Sequence, residues 1–330
     1  MTATASAPAK APHRPFRRLG VAAAVVAGLL LTSVAANLAL EQAERSAAVP
    51  YGQRVQTSPG ALNVVRTPGN GRARQSIVLL SGLGTPAPAL DFAPLIRELA
   101  NYDVVVVEGF GYGYSDQPPV ERTVENITAE LHEALAKLDV PRPYVLAGHS
   151  IAGFYTLAFA NRYRNDVSAV IGIDPTVPTT QTIHADQTTV PADGINWQRL
   201  IATSGLLRWA TMLVPSLVEP DGTAYTPRER DQMRRMTNWN FGNPSVLDET
   251  NRIADNARKV QTLRYPEDLP VLTFLASAKE SPPDPARHET LLHNVRHHEI
   301  LTLPGGHYLH WTHAPAMATK IKAFLNTNTP

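Results

Sequence analysis

Ser150 stands in the run Gly148-His149-Ser150-Ile151-Ala152-Gly153. The run lies between a strand-like segment, Tyr144 to Ala147, and a segment of helical periodicity, Ile151 to Tyr163. A serine hemmed in by small residues at such a junction has the pattern of a nucleophile elbow, where a sharp turn lifts the hydroxyl clear of the sheet. Bulky side chains two residues either side of it would collide with the neighbouring strand and helix, and Gly148 and Ala152 meet that demand. Serine is a weak nucleophile unless a neighbouring base takes its proton. His307 is the best-placed base, because it follows a strand-like run and the pair Gly305-Gly306 and precedes a helix-like run. His310 and His313 lie close behind, and His149 within the elbow is expected to point away and pack under the sheet edge. No carboxylate sits at ligand spacing from these histidines, so no metal site is expected. The absence of cysteine excludes thiolate chemistry, disulfides and cysteine-held zinc.

These groups need a framework, and the chain provides strand and helix patterns in alternation. Ala61 to Arg66, Ser76 to Leu80, Val104 to Val107, Tyr144 to Ala147, Val167 to Ile173, Val271 to Leu275 and Ile300 to Leu303 read as strands. Phe92 to Leu99, Val124 to Leu138 and Ala314 to Leu325 have helical spacing. Continuous β-branched runs such as Val104 to Val107 suit strands covered on both faces. The alternation predicts a mostly parallel sheet between helical layers. Residues 175–259 show no clear strand and hold Trp197, Trp209 and Trp239, three of the four tryptophans. They are expected to form a helical cap lining an apolar pocket.

Of the 330 residues, 43% are hydrophobic and 18% charged, an ordinary globular composition. A net charge of +1 implies no nucleic-acid surface. The amino terminus differs from the rest. Residues 1–18 are rich in alanine and proline and carry Lys10, Arg14, Arg17 and Arg18; residues 19–40 hold no charge. A helix of about 20 apolar residues spans the roughly 30 Å of bilayer hydrocarbon. The segment is expected to be a membrane anchor, or else an export signal removed by cleavage, with the basic residues on the cytoplasmic side. The protein is then either anchored, with its folded part outside the cytoplasm, or secreted. Residues 41–52 are expected to be a linker.

With these motifs in order, the chain resembles the α/β-hydrolase superfamily over about residues 50–326. Leu80-Ser81-Gly82-Leu83-Gly84 stands where such enzymes carry a His-Gly loop, with Ser81 in place of the histidine. Glu108-Gly109-Phe110-Gly111-Tyr112-Gly113-Tyr114-Ser115-Asp116 is similar to the family's Asp-x-x-Gly-x-Gly-x-Ser-Asp segment, with Glu108 for the aspartate. The elbow and Gly305-Gly306-His307 follow in the family's order. The resemblance implies an α/β-hydrolase core over residues 53–174 and 260–326 with a cap over 175–259. It implies oxyanion donors at the backbone N–H groups of Leu83 and Ile151. It implies an acid partner for His307 at one of two places: Asp174, after the strand ending at Ile173, or Glu280, on the loop after the strand near Ser277. The implied activity is hydrolysis of an ester or related acyl bond through an acyl-enzyme, without cofactor, on a small uncharged or partly hydrophobic substrate. Peptidases, carbon–carbon bond hydrolases, cofactor-free haloperoxidases and non-catalytic binding proteins share the pattern.

Overall fold

A computed structural model of the chain describes residues 15–70, 75–180, 194–220, 222–278 and 282–329, and of residues 15–18 the backbone alone. A long helix, α1 (Pro15–Ala47), leads into β1 (Gln53–Gln56), β2 (Ala61–Thr67) and β3 (Ser76–Leu80). Short helices α2 (Pro88–Asp91) and α3 (Ala93–Glu98) precede β4 (Asp103–Glu108). Then come α4 (Val124–Lys137), β5 (Tyr144–His149), α5 (Ala152–Arg162) and β6 (Val167–Ile173). Between β6 and β7, where the cap is expected, lie α6 (Trp197–Thr203), α7 (Leu206–Leu213), α8 (Pro227–Asn240), α9 (Pro244–Asn251) and α10 (Ile253–Val260). The chain closes with β7 (Val271–Ser277), α11 (Pro285–Leu292), β8 (His298–Pro304), α12 (Leu309–Thr312) and α13 (Ala314–Asn328).

The eight strands form one sheet in the order β1-β2-β4-β3-β5-β6-β7-β8. The pairs β1–β2 and β2–β4 are antiparallel, and the rest are parallel. The apolar runs explain the two covered faces. Along β3 and β4, Ile77, Leu79, Val104 and Val106 pack with Phe92 of the loop before α3, Leu95 of α3 and Met317, Ile321 and Phe324 of α13. Their alternates Val78, Leu80, Val105 and Val107 pack with Leu131 and Leu135 of α4 and Phe154 and Leu157 of α5. Successive strand residues point to opposite faces, so a run with no polar interruption fills both. Each such side chain contributes about 1.5–3 kcal/mol of burial free energy.

Two features depart from the expected plan. The linker expected over residues 41–52 is instead two further turns of α1, to Ala47, followed by the edge strand β1. Glu41 and Arg45 pair at 2.8 Å one turn apart and support that extension. α1 also docks on the cap through a polar seam. Ser33 Oγ donates to Ser204 O (2.6 Å), and Asn37 Nδ2 to Ala202 O (3.1 Å). Arg208 Nε donates to Asn37 Oδ1 (2.8 Å), and its guanidinium grips Glu44 at 2.6 and 3.0 Å. Trp209 and Trp239 donate their indole N–H groups to Ser33 Oγ (2.8 Å) and Glu44 Oε2 (3.0 Å). Residues 33, 37 and 44 lie along one stripe of a helix.

Glu108, where the family pattern has aspartate, is fully buried and accepts four hydrogen bonds: Tyr51 Oη (2.8 Å), Asn63 Nδ2 (2.9 Å), Tyr114 N (3.0 Å) and Ala89 N (3.3 Å). Burial nevertheless pushes its carboxyl pKa up. The longer side chain reaches Gly113, whose backbone has φ +51° and where a Cβ would lie 1.6 Å from Glu108 Oε2. Only glycine fits there.

Candidate active site

The β5–α5 junction bends as its small residues predict. Ser150 has φ +54°, a left-handed conformation that is strained by about 1 kcal/mol or more for a side-chain-bearing residue. A Cβ on Gly148 would meet Thr156 Cγ2 at 2.9 Å, and one on Gly153 would meet Thr176 O at 2.4 Å. The turn is clipped to the next strand by Ser150 N–H to Ile173 O (3.2 Å) and Thr176 N–H to Ser150 O (2.8 Å). This pairing sets Ser150 beside the end of β6, where Asp174 emerges.

Asp174 is itself left-handed, at φ +44°. Its N–H donates to Phe274 O (2.8 Å), and its Oδ1 accepts from Ala276 N (2.9 Å), so the end of strand β7 holds both its backbone and its carboxylate. Its Oδ2 meets His307 Nδ1 at 2.5 Å. His307 follows β8 through Gly305, whose φ of +135° suits only glycine and whose N–H donates to Ser277 O (3.1 Å). Ser150, Asp174 and His307 therefore gather at the carboxyl ends of β5, β6 and β8. Among the described residues His307 bonds Asp174 through Nδ1 and His149 through its carbonyl; Ser150 Oγ is not among its partners. Glu280 lies outside the described residues.

His149 is buried, as expected, and packs beside His307. Its Nε2 bonds His307 O at 3.1 Å, and its ring centroid lies 4.6 Å from that of His307 and 4.8 Å from that of His310. The reason is Gly82: a Cβ there would meet His149 Nδ1 at 2.8 Å and Ser150 Cβ at 3.1 Å, so only a bare backbone leaves the imidazole this space. His310 is no alternative base. It is fully buried, with Nε2 on Asp91 Oδ2 at 2.7 Å, and Trp311 Nε1 donates to Asp91 Oδ1 at 2.8 Å. Burial first, then the neighbouring His310 and His307, hold His149 well below the ordinary histidine pKa of 6.5. His149 thus stays neutral when folded and takes a proton when unfolded. The stability it contributes is complete above pH 6.5 and is lost as pH falls below it. Between pH 7.5 and 5 the protein should therefore lose stability. Urea unfolding of the parent and of His149→Asn at both pH values checks this: the variant should lose less on acidification, and equal losses would refute it.

Leu83 and Ile151 flank Ser150 from two loops. Gly84 N–H donates to Tyr112 Oη (3.1 Å) and Ser150 N–H to Ile173 O, whereas the N–H groups of Leu83 and Ile151 carry no such loop hydrogen bond among the described residues. Both lie at the elbow end of the sheet, Ile151 at the start of α5. Free N–H groups at a helix start suit an anionic oxygen.

Residues 77–319 match the family model described as "Alpha/beta hydrolase family". The chain belongs to the α/β-hydrolase family. The Bacillus subtilis protein YbdG is 25% identical over 214 residues, covering 64% of this chain and 65% of YbdG, a little under two thirds of that relative's length. Among solved structures, Cfl2 from Burkholderia cenocepacia superposes with a TM-score of 0.63 at 19% identity, over 82% of this chain and 94% of that one. A thermophilic esterase from Thermogutta terrifontis superposes with a TM-score of 0.62 at 18% identity, over 84% and 100%. At these identities the structural likeness concerns the fold.

This α/β hydrolase fastens its cap to the site through groups the sequence did not single out. Glu249 of α9 is buried and accepts from Tyr155 Oη (2.5 Å) and Tyr112 Oη (2.9 Å). Burial pushes its carboxyl pKa up and both phenol pKa values well above 10. Tyr112 also accepts from Gly84 N–H, so a chain of hydrogen bonds runs from the cap to the loop that carries Leu83. Three residues so distant in sequence leave no local signal. A cavity of about 260 Å³ lies between that loop and the cap, with Leu83, Gln198, Thr237, Asn240, Phe241 and Asn243 in its wall. No tryptophan lines this cavity; its wall is mostly apolar, as expected, with Leu83, Pro86, Phe241 and Val246 beside the amides and hydroxyls, and Ser150 is not among the lining residues. Trp209 and Trp239 serve the α1 seam instead.

Proposed function

We propose that the protein is a serine hydrolase that cleaves an ester or related acyl bond through an acyl-enzyme. The observation that carries this reading is the 2.5 Å contact between Asp174 Oδ2 and His307 Nδ1 beside the strained Ser150 turn. A proton held at Nδ1 by Asp174 leaves Nε2 unprotonated and able to act as base. In the substrate complex Ser150 Oγ closes on Nε2, a contact that commonly tightens only when substrate is bound. Ser150 then attacks the acyl carbon and passes its proton to His307, and Asp174 stabilises the imidazolium. The Leu83 and Ile151 N–H groups receive the negative charge that develops on the carbonyl oxygen. The alcohol departs with the proton from His307, and water attacks the acyl-enzyme by the same route in reverse.

The esterase from Thermogutta terrifontis shares this fold and agrees with the acyl-ester reading. The mixed cavity wall favours a small substrate with an uncharged, partly hydrophobic acyl or alcohol part. We further read α1 as a retained membrane anchor, with the hydrolase outside the cytoplasm. Its stretch from Leu19 is long and apolar enough to cross a bilayer, and it docks on the cap through Ser33, Asn37 and Glu44. Cleavage beyond residue 33 would remove part of that seam. A panel of p-nitrophenyl esters of graded chain length, with p-nitroanilide and styrene oxide controls, tests the activity. Ester turnover with little on either control is expected; faster turnover of the anilide or the epoxide would refute the ester assignment.

A further inference from the structure

The helices α1 and α7 are inside out for a protein surrounded by water. α7 buries Arg208, 4% exposed, and Thr211, and turns Leu206, Met212 and Leu213 outward, with Leu213 82% exposed. α1 buries Asn37 and exposes Leu29, Leu30, Leu31, Leu38 and Leu40. On α6, Trp197, Leu200 and Ile201 form one exposed face, and Val214 and Leu217 extend the apolar surface beyond α7. Residues 194–218 contain no acidic residue and two cations, Arg199 and Arg208. Both are engaged: Arg199 Nη1 donates to Trp239 O (3.0 Å), and Arg208 holds Glu44 and Asn37. A polar interior seam with an apolar, uncharged exterior is the reverse of the pattern that water selects.

We infer that the outer face of α6 and α7 is seated in the lipid leaflet that α1 crosses, and that the substrate reaches Ser150 from the bilayer. This rests on the reading of α1 as an anchor and of the site as an esterase. The occupant follows from continuity. The Ser33 and Asn37 contacts fix α6 and α7 beside the carboxyl-terminal part of the apolar run, so a bilayer that covers Leu29 to Leu40 must also meet Leu206, Met212 and Leu213. The close approach is built in: Gly205 has φ +82°, and a Cβ there would lie 2.8 Å from Ser33 Oγ. The route is one helix wide. Gln198 lines the same cavity as Leu83, whose neighbour Gly82 packs on Ser150, and Trp197, Leu200 and Ile201 on the same helix are exposed. An α-helix with side chains is about 10 Å across, so a lipophilic ester dissolved in the leaflet lies within one helix diameter of the cavity.

The chain has no cysteine, so single-cysteine variants report one position each. Full-length Leu213→Cys and Glu267→Cys proteins carry an environment-sensitive fluorophore and are placed in phosphatidylcholine vesicles. Glu267 precedes β7 at the opposite, amino-terminal end of the parallel strands. The label at 213 should be quenched by nitroxide-bearing phospholipid and shielded from an aqueous nitroxide, and the label at 267 should show the reverse. A label at 213 that behaves like that at 267, or that is shielded from both quenchers by a second copy of the chain, overturns the proposal. In a second arm, Leu213→Asp should keep the parent rate on a water-soluble acetate ester and lose about tenfold on a long-chain ester dissolved in vesicles, since a carboxylate is strongly disfavoured in lipid. Equal rates on the long-chain ester would remove the bilayer route. The labelling needs no turnover, so its outcome stands apart from that of the hydrolase reading, which fails if the parent protein turns over no ester at all.

Discussion

Ser150→Ala is expected to lower kcat for ester hydrolysis by about 10⁴–10⁶-fold, since removing the nucleophile of a serine–histidine pair has an effect on that scale. Alanine keeps the Cβ and removes only Oγ. It also accepts the same strained φ of +54°, so the fold should persist and the melting temperature should stay close to that of the parent. Ser150→Gly separates the two roles of the residue. It should be equally inactive but more stable by about 1 kcal/mol, because glycine relieves the left-handed strain. Steady-state kinetics on a short p-nitrophenyl ester with thermal unfolding of each variant measure both. Retention of more than about a hundredth of the parent activity in Ser150→Ala would remove Ser150 from the chemistry.

Asp174→Asn should lower kcat by about 10⁴-fold while leaving substrate binding and folding nearly intact, the consequence of a wrong histidine tautomer. The hydrogen bonds say why. Ala276 N–H donates to Asp174 Oδ1, so an asparagine would keep its carbonyl oxygen there and turn its NH₂ group toward His307 Nδ1. Nδ1 must then accept, the ring proton moves to Nε2, and the base is disabled. Asparagine tolerates the left-handed backbone, with φ +44°, that Asp174 adopts. Glu280→Gln should be silent in the same assay. A large loss in Glu280→Gln with near-parent activity in Asp174→Asn would transfer the acid to the later loop.

The elbow was legible because its constraints are local. Gly148, Ala152 and Gly153 report a turn that no larger residue fits, and the alternation of strand and helix patterns around them implies the sheet. The position of His307 was legible for the same reason, since Gly305 and Gly306 mark the turn after β8. The acid stayed open between Asp174 and Glu280 because its position depends on register. Asp174 meets His307 only because β6 pairs with β7 so that Ile173 lies opposite Phe274, a long-range fact with no local trace. His149 is buried as expected, but its contact with His307 could not be read locally because its place is set by Gly82, 67 positions earlier in the chain. The α1 seam had a faint signal that passed as background. Ser33 and Asn37 are polar interruptions one turn apart in a run whose other polar side chain is Thr32, and on a helix that spacing makes one stripe for a protein partner. Glu249 and its two tyrosines could be joined only by the fold.

The account rests on a serine hydroxyl made nucleophilic by its neighbours, and covalent trapping tests that most directly. The full-length protein is treated with a fluorophosphonate and digested, and the modified peptide is sequenced by mass spectrometry. A single adduct on Ser150, formed rapidly in the parent and at a rate reduced by about a thousandfold or more in His307→Ala, is the expected result. No adduct, or an adduct on another residue with Ser150 untouched, would contradict it.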